Sequence, residues 1–304
     1  MKAIHSFRSD RFSPYFEMVG GREIIKPVIY IMALSAATIR KQHKDFLFIT
    51  DRLGKELAEA CKLPYTEIEC VGESFDSHPC FWVHSKVHAY TTIHEPFIHY
   101  DTDFFLWDAL PANFLANDVV AFHSETFVWS KYQEYNENLI NAGFTLPPFM
   151  QTYWTSRMPI NMALFGGNNW KAINEYGDTL QQFIKDNHGF NYATDEQRSV
   201  LEQSVALIEQ LWGSYIIQDK LKIPIAQLLT ERNILKKSGD AKVTHLHGIK
   251  QEAMRTNQIP QLLVKLEAKL NEVNPEVYSA VREFVTSDVD VDAMILEATN
   301  GKNL

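Results

Sequence analysis

Cysteine is scarce: three residues, Cys61, Cys70 and Cys80, in a chain of 304. Their number is odd and no two form a C-x-x-C pair, which argues against a disulfide scaffold and against a structural zinc site. Long apolar runs are lacking as well. The longest, Val28 to Thr38, is too short to cross a bilayer and is followed by Arg40, Lys41 and Lys44. The opening Met-Lys-Ala-Ile-His-Ser-Phe-Arg has none of the apolar stretch of a signal peptide. The expectation is a soluble, cytoplasmic protein with no integral membrane segment, with peripheral contact at a membrane surface left open. Positive charge is in deficit: 29 Lys and Arg stand against 38 Asp and Glu, a formal charge of −9. That balance argues against nucleic acid as a main partner. An anionic substrate would need a metal ion or a local cation to enter. There is no internal repeat and no low-complexity tract.

What the chain does have is core-forming material. Hydrophobic residues make up 45% and charged residues 22%, with 19 Phe, 12 Tyr and 6 Trp, so a sizeable buried core is expected. Residues 2–6 read as a strand and Val28 to His43 as a helix with a basic last turn. Asp45 to Asp51 reads as a buried strand, Gly54 to Lys62 as a helix and Tyr65 to Val71 as a third strand. Strand and helix in alternation predict an α/β fold with a mainly parallel sheet flanked by helices. Trp82 to Thr92 reads as a helix, Phe97 to Tyr100 and Val119 to Phe122 as strands, and Tyr132 to Ala142 as a helix. Gly143 to Pro159 reads as a long aromatic loop, followed by a strand from Pro159. Helices are expected over much of 170–186 and 195–219, then a late strand from Lys242 to His245. Beyond Ile259, Leu262, Leu263, Leu266 and Leu270 form one apolar stripe, predicting a helical C-terminal extension.

Candidate chemistry centres on Asp101-Thr-Asp103. Two carboxylates follow the apolar run Phe97 to Tyr100, and apolar residues resume at once with Phe104-Phe-Leu-Trp107. Carboxylates in that setting need a cation or a hydrogen-bond network, and oxygen ligands suit Mg²⁺ or Mn²⁺. An Asp-initiated turn would leave the same trace. In parallel sheets ligands gather beyond the carboxyl ends of the strands, where Asp51 and Asp101–Asp103 both fall. Val243-Thr-His-Leu-His-Gly-Ile-Lys250 adds His245, His247 and Lys250. Neighbouring strand positions alternate, so one of the two histidines at most would join an Asp/Asp site. A pair of turn histidines on the surface is the alternative.

The order of these motifs resembles the GT-A-fold glycosyltransferases, the nucleotide-sugar-dependent class with a D-x-D motif. In detail it is similar to the glycogenin-like and lipopolysaccharide galactosyltransferase-like families. The likeness spans roughly residues 1–255, with 256–304 as a helical extension packed on that catalytic domain. It implies a first strand cradling the nucleobase at Ala3 to Ser6, here Ile4, His5 and Ser6, with Asp51 beside the nucleoside. Lys86, on the helix before the D-x-D strand, would meet the diphosphate. Asp101, Asp103 and His245 would hold Mn²⁺ or Mg²⁺, which acts on the departing diphosphate as a Lewis acid, and Lys250 would add charge there. Asn161 in Asn161-Met-Ala-Leu-Phe-Gly echoes a sugar-contacting strand. Glu209 and Gln210 echo an acidic–Gln pair at the reaction centre, Glu209 being the candidate base. Lys250 stands one residue earlier than in the family pattern. The implied donor is a nucleoside-diphosphate sugar, a UDP-sugar favoured, and the acceptor a carbohydrate, lipid or protein.

Each residue also has a plainer reading. Lys86 fits a surface lysine, Asn161 a strand-end hydrogen bonder and Glu209 a solvated helix residue. Trp129, Tyr153 and Trp154 suit either sugar stacking or packing. Two other functions compete. A non-catalytic nucleotide-sugar-binding protein would keep the same fold. A haloacid-dehalogenase-type phosphatase would use the first Asp of D-x-D as nucleophile, with Asp288-Val-Asp-Val-Asp292 as its second acidic motif.

Overall fold

The computed structural model describes residues 1–9, 25–72, 75–77, 80–125, 129–152, 158–187, 201, 204–205, 208–229, 242–246, 256 and 258–287. In chain order the elements are β1 (Lys2–Phe7), α1 (Ile25–Gln42), β2 (Phe46–Thr50), α2 (Arg52–Ala60), β3 (Glu67–Cys70), α3 (His84–Thr92), β4 (Phe97–Tyr100) and β5 (Phe104–Leu106). They continue with α4 (Ala112–Leu115), β6 (Val119–Ser124), α5 (Trp129–Asn141), α6 (Pro148–Thr152), β7 (Ile160–Gly167) and α7 (Trp170–Asp186). Two π-helical stretches, Ile208–Trp212 and Ile216–Lys220, precede β8 (Ile225–Gln227), β9 (Val243–His245), α8 (Ile259–Val273) and α9 (Pro275–Thr286). Strands paired both parallel and antiparallel alternate with helices, the mixed α/β arrangement that the sequence reading requires.

Packing divides the chain into two compact units. One comprises Lys2–Phe75, Asp101–Ala109 and Lys242–Leu304; the other holds Met1, Asp76–Tyr100 and Leu110–Ala241. The described C-terminal helices share a core with α1.

In the first unit β1, β2 and β3 run parallel in the order β3-β2-β1, with Ile4 opposite Leu47 and Phe48 opposite Ile68. Every residue of β2 is buried, as its unbroken Phe-Leu-Phe-Ile-Thr sequence predicts. Asp51 caps α2, its Oδ1 accepting from Gly54 N at 3.0 Å. That bond satisfies a donor that the first helical turn would otherwise leave unpaired. A second core joins Ile31, Leu34 and Phe105 to Leu266, Leu270, Val281 and Phe284, so the leucine stripe read from the sequence does meet a partner. Asn274 caps α9 by accepting from Val277 N, with Pro275 in the first turn. This unit also contains a two-stranded antiparallel ladder, β5 with β9, in which Phe104 faces His245.

In the other unit β7 lies between β4 and β6, antiparallel to both, and β8 pairs parallel with β6. All eight residues of β7 are buried. A Cβ at Gly166 would stand 2.1 Å from the Phe97 carbonyl oxygen, so only glycine lets β7 approach β4 this closely. Helix α3 packs on α7, and Tyr90 from α3 meets Phe97, Phe165 and Tyr176 through its ring. The expected loop 143–159 contains the short helix α6. A register irregularity between Ala121 and His123 bends the end of β6, the kind of bulge that re-aims side chains. Among the described residues no helix is long and apolar enough to cross a membrane.

Candidate metal centre and its surroundings

Asp101 directly follows β4, and a turn closed by Phe104 N donating to Asp101 O at 3.0 Å carries the chain into β5. Strand β9 returns beside it. Leu246 N donates to Asp103 O at 3.1 Å and Trp107 N to Lys242 O at 2.9 Å, which locks the register. That register brings His245 Nε2 to 3.4 Å from Asp103 Oδ1 and 4.0 Å from Asp101 Oδ2. One ligand atom from each of the three residues falls within 4.8 Å of the others. Donors bound to a common Mg²⁺-sized ion at about 2.1 Å are at most ~4.2 Å apart, so the spacing is close to what one ion requires. The side chains of His245 and Asp103 are 9% and 13% exposed, which shields the charges from water. Two carboxylates and one imidazole are a donor set suited to a divalent ion of intermediate hardness such as Mn²⁺. The sequence predicted these three ligands, and the structure brings them together within one unit.

The residues expected to meet a nucleoside are more enclosed. Ile4 and His5 are fully buried and Ser6 nearly so. His5 Nδ1 meets the Tyr65 hydroxyl at 3.0 Å and its Nε2 meets Ser35 Oγ at 3.2 Å. Burial pushes its pKa down to about 3, against an opposing pull from Asp103, so the ring is neutral. Asp51 is also buried. Besides capping α2, it accepts from Ser9 N through Oδ2 at 2.8 Å. His247, Gly248 and Lys250 lie outside the described residues, as do Tyr153, Trp154 and the Asp288–Asp292 run.

The remaining predicted residues belong to the other unit, where they form their own cluster. Lys86 donates to Glu209 Oε1 at 2.6 Å, and both side chains are buried. The ammonium also sits 5.4 Å from the centre of the Trp82 ring. Glu209 and Gln210 lie on the first π-helical stretch, a widened turn of the sort found at functional sites. The Tyr176 hydroxyl donates to the Glu209 carbonyl at 2.5 Å, and Tyr132 donates to Gln210 Oε1. Asn161, buried on β7, donates to Glu125 Oε1 at 2.6 Å and accepts from Ala163 N at 3.0 Å. The Tyr132 phenol is driven upward by burial, and further by the carboxylates of Glu125 and Glu209, so it stays protonated and donating. The solvated reading of Glu209 and the surface reading of Lys86 both give way to a buried pair.

Three residues around these sites were missed from sequence. Glu125 is a carboxylate just beyond the buried strand β6, the same signal that singled out Asp101, and could have been found that way. Ser35 and Tyr65 carry no local signal, because a helix serine and a loop tyrosine reveal nothing until the fold brings them to His5.

No curated protein matches this chain. Among solved structures, the crystal structure of an active-site mutant of LgtC aligns over 66% of this chain and 69% of its own, at 11% identity and a TM-score of 0.36. The profile of DUF6734, described as a family of unknown function, spans residues 1–284, and the chain belongs to that family.

Proposed function

We propose that this protein is a metal-dependent glycosyltransferase that moves a sugar from a nucleoside-diphosphate sugar, a UDP-sugar favoured, to a hydroxyl of a carbohydrate, lipid or protein. The observation that carries the reading is the convergence of Asp101, Asp103 and His245 through the β5–β9 ladder. In the reaction the acceptor oxygen forms a bond to the anomeric carbon. The carbon–oxygen bond to the diphosphate breaks, its electron pair leaves with the nucleoside diphosphate, and the acceptor proton passes to a base. Bound Mn²⁺ or Mg²⁺ would neutralise charge on the departing diphosphate. Asp101, Asp103 and His245 hold the ion in this reading, with Lys86 and Lys250 as phosphate-side cations. Ile4, His5, Ser6 and Asp51 form the nucleoside side. Glu209, Gln210 and Asn161 are the sugar-side groups; the burial of Glu209 and Asn161 and the hydrogen bond that Gln210 accepts from Tyr132 support such a role. A catalytic domain over 1–255 and a cytoplasmic location belong to the same proposal.

The test is a thermal-shift titration with Mn²⁺ and UDP, followed by assay of a nucleotide-sugar panel for metal-dependent hydrolysis. The wild type is expected to melt higher with both ligands present, and Asp103→Ala to lose the shift. Absence of any metal-dependent shift with nucleoside diphosphates would overturn the proposal, and phosphate release from p-nitrophenyl phosphate would replace it with a phosphatase. Donor binding without hydrolysis or transfer across the panel would leave a binding protein.

A further inference from the structure

Behind the Asp101–Phe104 turn runs a chain of hydrogen bonds whose direction can be deduced. Ser35 Oγ lies 2.6 Å from the Phe104 carbonyl oxygen, which only accepts, so the one hydroxyl hydrogen of Ser35 points there. Ser35 must then accept from His5 Nε2, 3.2 Å away, which fixes the imidazole hydrogen on Nε2. His5 Nδ1 is left as an acceptor and takes the Tyr65 hydroxyl hydrogen at 3.0 Å. Every donor in the series has an acceptor only if the ring is neutral, and burial keeps it so. Aromatic packing fixes the components: Tyr65 stacks on Phe48 at 4.4 Å and 5°, and His5 lies edge-on to Phe46 at 4.8 Å.

The far end of the relay meets the ladder where it has an opening. Backbone bonds flank the ladder at both ends, Leu246 N to Asp103 O and Trp107 N to Lys242 O. In an antiparallel pair the intervening residues turn their backbone groups away from the partner strand. Phe104, facing His245, is one of them, and its carbonyl is taken by Ser35. Leu106 is another: its N–H goes to Thr38 Oγ1 at 3.2 Å, and Thr38 in turn donates to Ser35 O at 2.9 Å. One turn of α1 therefore holds Phe104 O and Leu106 N of the strand that follows the two aspartates.

We propose that Tyr65, His5 and Ser35 are positioning residues of the metal centre: their relay sets the Asp101–Phe104 turn against β9 and thereby the affinity of Asp101, Asp103 and His245 for a divalent ion. The inference rests on the metal-dependent reading above. Groups that orient ligands without touching the metal are worth about 10–100-fold in affinity.

Free Mn²⁺ measured by electron paramagnetic resonance, with and without UDP, gives the test on the full chain. Ser35→Ala is expected to weaken Mn²⁺ binding about tenfold, and Ser35→Thr, which keeps a hydroxyl, to stay within about threefold of the wild type. Tyr65→Phe keeps the stacked ring and removes only the hydroxyl. It is expected to weaken binding by a smaller, measurable factor, and it serves if Ser35→Ala does not fold. A lower melting temperature with unchanged Mn²⁺ affinity in these variants would make the relay purely structural and overturn the inference alone. A wild type that retains no Mn²⁺ in either condition would overturn the metal reading itself, and the inference with it.

Discussion

Lys86 Nζ lies 2.6 Å from Glu209 Oε1, with side chains 10% and 2% exposed, so a full charge pair is held almost out of water. Removing one partner of a buried pair costs about 3–5 kcal/mol. Glu209→Ala is expected to lower stability by roughly that amount in urea denaturation. The double variant Lys86→Met with Glu209→Leu is expected to recover most of the loss, since no isolated charge then remains. Equal destabilisation in the single and double variants would show that packing, not charge, holds this region.

His5 gives the protein a predictable acid sensitivity. Its folded pKa, about 3, is below the ordinary histidine value near 6.5, first because of burial and despite Asp103. As pH falls below 6.5 the unfolded chain takes up a proton that the folded chain refuses. His5 therefore removes stability at about 1.4 kcal/mol per pH unit, from near pH 6 down toward 3, and contributes no slope above pH 7. Comparing urea midpoints of wild type and His5→Gln across pH 4 to 8 checks this: the variant's profile should be flatter in the acid limb.

Two glycines should respond differently to the same substitution. Gly166→Ala drives a methyl to 2.1 Å from a backbone carbonyl that two paired strands cannot move. A loss of about 3 kcal/mol or more, or no folded protein, is expected. Gly213→Ala meets the terminal methyl of Met162 at 2.2 Å, and that flexible side chain can swing aside. Its expected cost is about 1–2 kcal/mol, read from chemical denaturation.

On α8, Leu270 is fully buried in the core shared with α1, whereas Val264 is 65% exposed. Leu270→Ala is expected to cost about 2–5 kcal/mol and Val264→Lys to stay within about 0.5 kcal/mol of the wild type. If both were neutral, the C-terminal helices would not contribute to the folded unit.

The elements that sequence revealed best are those whose signal is local. Phe97–Tyr100 was bounded correctly because an apolar run meets carboxylates on one side and Glu95-Pro96 on the other. The helix α1 and the fully buried β2 carry periodicity or continuous apolarity over their whole length. Strand β5 was not foreseen. Its three residues follow Asp103 without a break in apolarity, and among the described residues it pairs only with β9; Trp107 and Thr244, bonded side chain to side chain across it, are 137 positions apart. The metal triad was legible because its chemistry is written in residue types. The environment of Glu209 was not, since a π-helical turn and an ordinary helix share the same composition, and Lys86 and Glu209 are joined only by the fold. The alternation argument allowed one histidine of the His245/His247 pair, and the Phe104–His245 register supplies the reason to choose His245.

The β5–β9 ladder has a consequence for the order of events as the protein is made. Asp101 and Asp103 emerge from the ribosome long before His245, and the strand that orders their turn arrives with it. Nascent chains halted between Asp103 and Val243 carry the aspartates but not His245. The three donor groups therefore stand together only once β9 has been made, and a chain lacking it has two of the three.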